Sequence, residues 1–179
     1  MPVSDQRQAQ IRELSNDERV DHMDTSGFTD ADWARLDAEL DAETLAFCRD
    51  TADPEELHVF ANTWNWDKGT WALEEILRNP ACEGATALML YWRARPEYYL
   101  QFADRTALEA DPAQAGNLEG FDFLTQLETR YLAGAFPVRA ITFDPADPDD
   151  NLVGVYDDLR DKFVRQLPPV MYAPIGLPS

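Results

Sequence analysis

Between residues 53 and 93 the apolar positions recur at helical spacing and are punctuated twice, which restricts this stretch to helices joined by tight corners. Asp53 can cap a helix, Pro54 suits its first position, and Glu56 completes a D-x-x-E pattern that complements the helix dipole. Behind it Leu57, Phe60, Ala61 and Trp64 fall on one helical face. Residues 65–69 then form a corner, because Gly69 is free to take the left-handed conformation. Thr70 can cap a second, shorter helix carrying Leu73, Ile76 and Leu77, and Asn79-Pro80 stops it. A third helix follows, with Ala85, Leu88, Met89 and Trp92 on one face and Ala87, Leu90 and Tyr91 on the others. A helix apolar nearly all round is a central one.

The flanks are polar where this middle is not. Residues 1–56 carry 16 acidic and 5 basic residues, residues 57–103 carry 5 and 4, and residues 104–179 carry 13 and 6. The total of -19 gives a surface that repels phosphate backbones and anionic lipids, so the expected partner is a protein, one of basic character, and neither nucleic acid nor membrane. There is no run of 18 apolar residues and no secretory h-region, which points to a soluble, cytoplasmic chain. Cys48 and Cys82 stand 34 positions apart in apolar or helix-boundary surroundings and read as free, buried thiols.

Elsewhere, residues 4–20 give a weakly docked or frayed helix with only Ile11, Leu14 and Val20 as a stripe, so residues 1–28 are expected to be weakly ordered. Residues 30–51 read as helical, with a break near Asp41 left open. Pro96 opens a further short helix, and 117–133 a long one. Residues 138–143 alternate as a short strand, 153–166 are helix-like, and the proline-rich end is an extended arm. The expected architecture is mainly α, packed antiparallel helix pairs with a short β or extended C-terminal element. Residues 29–179 are expected to form a single domain.

Three short motifs in order, Glu56-Leu57-His58, Asn65-Trp66-Asp67 and the run 79–88 (NPACEGATAL), resemble a small bacterial family of domains of unknown function, family 4274, whose core runs ELH, NWD and NPxCDxGTAL. Glu83 stands where that family usually has Asp, and Ala85 where it has Gly. The resemblance spans about 55–92, with a core at 53–103, and implies an architecture without a transferable activity. Helix pairs joined at an NP are also similar to stacked repeats of the HEAT type, an analogy of fold alone.

Among candidate site residues, Trp64, Trp66 and Trp71 could form an aromatic platform for a ring or a cation, although Trp64 lies on the core face and Trp66 is the one most free to act. His58 could serve as a general base, with Asp67 and Glu83 as the carboxylates of a metal-assisted hydrolase. Arg93 closes the central helix, where it opposes the dipole or grips an anion. Asp147, Asp149, Asn151 and Asp158 imitate the ligand order of a calcium loop, but Leu152 occupies the place that needs glycine, so a solvated acidic loop is expected. No phosphate, dinucleotide or nucleophile-elbow motif is present, and no cofactor is expected. The leading functional expectation is a non-catalytic protein-interaction module of the immunity or antidote kind; the hydrolase is the alternative.

Overall fold

The computed structural model describes residues 2–16, 18–150 and 152–176. The chain is mainly α-helical, built from packed helix pairs, and its contacts divide it into two compact units, Met1–Cys82 and Glu83–Ser179.

In the first unit, α1 (Asp5–Asn16) packs on α3 (Pro54–Thr63), and α2 (Asp30–Asp50) packs on α4 (Trp71–Arg78). Helix α1 is docked: Ile11 is fully buried, Arg7 forms a two-pronged pair with Glu56 at 2.8 and 2.6 Å, and Ser15 bonds the Thr63 hydroxyl at 2.9 Å. Those polar anchors do what its thin apolar stripe alone does not. Helix α2 runs unbroken through Asp41. Asp53 caps α3 by accepting from the Glu55 amide, and Leu57, Phe60 and Ala61 are buried as the periodicity predicts.

One side chain ties α2 to the end of α4. The Asn79 amide nitrogen donates to the carbonyls of Cys48, Arg49 and Thr51 at 2.8 to 3.0 Å, while its oxygen accepts from the Ala81 amide at 2.8 Å. These are the carbonyls that a helix end leaves without partners. Asn79-Pro80 therefore does more than stop α4, since it also closes the C-terminus of α2.

In the second unit, α5 (Gly84–Arg93) is buried at every position from Gly84 to Trp92, the central helix that its all-round apolarity requires. It packs on α7 (Leu118–Leu132), with the short α6 (Arg105–Glu109) alongside α7. The Trp92 indole donates to the Met171 carbonyl at 2.7 Å, and Tyr172 stacks edgewise on the same indole. The extended end of the chain is thus held across α5.

Three expected elements take other forms. Residues 138–143 make no strand; Phe143 alone pairs with Ile175 in an isolated antiparallel bridge. Val138 is exposed and only Phe143 of the segment is buried, and the amides of Ala140 and Ile141 go to the Glu83 carboxylate instead of a neighbouring strand. Residues 153–166 form a turn and a 3-10 helix at Asp157–Lys162, because Gly154 is left-handed (φ 80°) and Val155 and Val164 point to solvent. The stretch after Pro96 is a 3-10 helix, Pro96–Gln101, entered through a left-handed Arg95 (φ 58°).

Candidate functional site

The tryptophan-rich stretch folds as a corner. Trp64 is buried, stacks on Phe60 at 5.5 Å and donates its indole N–H to the Gly69 carbonyl at 2.9 Å. Trp71 meets it edge-on at 5.4 Å. The cation these two rings receive is the chain's own: the Lys68 ammonium lies 5.3 Å from one ring centroid and 5.9 Å from the other. Asn65 accepts from the Asp67 amide at 3.0 Å and caps the single 3-10 turn Trp66–Lys68. Trp66 is half-buried on that turn, Asp67 is exposed, and His58 is half-buried on α3.

Glu83 precedes α5 but makes no side-chain cap on it. Its carboxylate, 1% exposed, instead accepts from the backbone amides of Ala140 and Ile141 at 3.1 and 3.0 Å. Its charge also sits at the positive end of the helix dipole. Asn79 and Glu83, the two polar residues of the NPACEG run, are both structural ties. Arg93 is half-buried in the last turn of α5, and burial lowers its guanidinium below its usual value.

In the acidic loop, Asp147, Asp149 and Asp158 are exposed; Asp147 spends one oxygen on the Asp149 amide at 2.9 Å, an ordinary turn. Asn151 lies outside the described residues. Among the described residues no three His, Cys, Asp or Glu side chains come together to hold a metal ion. Cys48 and Cys82 are buried thiols outside any disulfide among the described residues, and burial pushes the Cys48 thiol up to about 12.

The surface that stands out lies on α2. Its first ten residues, 30–39, bury no side chain, whereas Leu40, Thr44 and Cys48 of the second half are buried. Helical spacing puts Trp33 and Leu36 on the same stripe as Leu40 and Thr44, so the apolar face continues beyond the part the first unit covers. Asp37 and Asp41 border the stripe on one side; Asp32, Glu39 and Glu43 border it on the other. The exposed end has its own reinforcement. Thr29 and Asp32 form a reciprocal capping box, and Phe28 packs on Trp33 at 5.2 Å as a hydrophobic staple. The bonds from Thr29 hold the Asp32 carboxyl below its usual range, so it remains charged. Composition pointed to acidic flanks, but which acids border an uncovered stripe becomes visible only when the buried length of α2 is known.

No helix among the described residues is long and apolar enough to cross a membrane. No curated protein and no solved structure matches this chain. Residues 52–132 match the model of a family of domains of unknown function, DUF4274, which places the corner, the Asn79 and Glu83 ties and helices α3 to α7 within that domain.

Proposed function

We propose that this protein is a non-catalytic interaction module that engages a basic protein partner through the uncovered half of α2. The observation that carries the reading is the stripe of Trp33, 37% exposed, and the half-buried Leu36, in a ten-residue stretch that buries no side chain fully and is bordered by acids on both sides. A complementary partner would offer an apolar groove flanked by Lys or Arg, the pattern of helix-in-groove recognition. Opposite charges would speed the encounter, and an antidote that masks a basic enzyme is one such use. The hydrolase alternative gains no support from the placement of His58 and Asp67, since neither belongs to a cluster of metal-ligating side chains among the described residues.

The test is a photo-crosslinking amino acid at Leu36 in the native cell, with a control at the exposed Gln126 of α7. A discrete adduct is expected at Leu36 alone, weakening as salt is raised from about 0.05 M to about 0.5 M, where the Debye length shrinks severalfold. Charge reversal at Asp37, Glu39 and Asp41 should abolish it. Equal adducts at both positions, or an adduct indifferent to salt and to charge reversal, would sink the reading.

A further inference from the structure

The second unit contains a cleft of about 710 Å3 between the 3-10 helix Pro96–Gln101 and the segment that follows Asp157, well within the size range of small-molecule sites. Its apolar walls are Leu100, Phe163 and Leu167, and its polar groups include Glu97, Arg160 and Tyr172.

Glu97 is the unusual member. It is only 6% exposed, yet its carboxylate makes no ion pair with any Lys, Arg or His among the described residues and accepts only from the Gly154 amide, at 3.0 Å to each oxygen. Arg160 acts on this carboxylate only through charge, without a direct ion pair, so a cation delivered to the carboxylate itself is well held. Arg160 donates through Nε to Asp157 at 2.8 Å, which leaves the terminal nitrogens of its guanidinium able to donate elsewhere. Tyr172 has no hydrogen-bond partner for its hydroxyl among the described residues. Burial first, then the charge of Glu97, raises that hydroxyl's pKa while Arg160 opposes the rise, so it stays a donor at neutral pH. Arg165, also in the lining, spends Nε and one terminal nitrogen on the carbonyls of Phe102 and Tyr99, and holds the rim.

We infer that this cleft binds a small zwitterion, a free α-amino acid or short peptide with an apolar side chain, its ammonium on Glu97, its carboxylate on Arg160 and Tyr172, and its side chain against Leu100, Phe163 and Leu167. A purely cationic ligand would face Arg160 and Arg165 across the same opening, and a purely anionic one would leave the Glu97 charge uncompensated. The site lies wholly in the second unit, and nothing in it depends on the role proposed for α2.

Calorimetry on the full chain tests this with four probes: L-leucine, trileucine, L-leucinamide, which lacks the carboxylate, and N-acetyl-L-leucine, which lacks the ammonium. L-leucine or trileucine should bind, whichever it is telling a free amino acid from a peptide, and the two blocked probes should bind about tenfold or more weakly, the scale of a lost charged hydrogen bond. Glu97→Gln, which retains an acceptor for Gly154, should weaken the zwitterion by a similar factor. Arg160→Ala alters a side chain that is 66% exposed, so the fold is not at risk, and it should bring L-leucine and L-leucinamide to equal affinity. Absence of binding by both L-leucine and trileucine at about 10 mM, well above a millimolar dissociation constant, would overturn the assignment. So would N-acetyl-L-leucine binding as tightly as L-leucine, or a zwitterion affinity unchanged in both variants.

Discussion

Removing the Glu83 carboxylate should release residues 137–143 from the start of α5. In Glu83→Ala the amides of Ala140 and Ile141 lose a charged acceptor, and α5 loses a negative charge at its N-terminus. Hydrogen bonds to charged groups contribute about 1.5–3 kcal/mol each, and a charge at a helix N-terminus about 0.5 kcal/mol. Both bonds run to the same oxygen, and Ala140 is exposed enough for water to replace one of them. The expected loss is therefore about 2–3 kcal/mol. With a urea slope of about 2 kcal/mol/M, that lowers the midpoint by about 1–1.5 M. Glu83→Gln keeps an oxygen that both amides can reach, so only the charge is lost and the shift should be about a third as large. Urea titration followed by circular dichroism measures both variants, and hydrogen exchange at Ala140 and Ile141 locates the effect. If the alanine variant shifts the midpoint by less than about 0.3 M, or exchange at those two amides is unchanged, the carboxylate is not the tie described here.

Asn79→Ala should destabilise the first unit by about 2–3 kcal/mol, because the end carbonyls of α2 and the Ala81 amide lose their partner together; a thermal melt should show a drop of roughly 5–10 °C. Cys48 and Cys82 should both resist iodoacetamide in the native protein at pH 8 and both react in denaturant, as counted by mass spectrometry. Burial pushes the folded Cys48 thiol up to about 12 from the ordinary 9.0, so its contribution to stability is full below pH 9.0 and is lost as pH rises towards 12.

Where an element's own residues decide its form, the sequence is a sufficient guide. Asp53, Pro54 and the stripe behind them specify α3 locally, and the apolar run from Gly84 specifies a central helix without reference to anything distant. The corner at Trp64 follows from Asn65 and Gly69 in the same way. Residues 138–143 and 153–166 fail as a strand and a helix in part through distant partners. Two amides of the first go to Glu83, and the amide of the left-handed Gly154 in the second goes to Glu97, carboxylates 57 or 58 positions earlier in the chain. The available signal was slight: each acid sits beside a helix boundary in a stretch with only five acids over 57–103. Nothing in the local sequence singles out Glu97, and neither Arg160 nor Tyr172 shares a motif with it. A cleft assembled from separate short turns has no periodicity to read.

The bond from the Trp92 indole to the Met171 carbonyl spans 79 positions of chain. During synthesis α5 emerges long before the segment that seals it, so the second unit stays unfinished until that segment clears the ribosome. The first unit contains all of its own helices by Cys82 and is under no such delay. A nascent chain would thus carry one settled half and one with an uncovered indole, open to chaperones and proteases until Met171 has emerged.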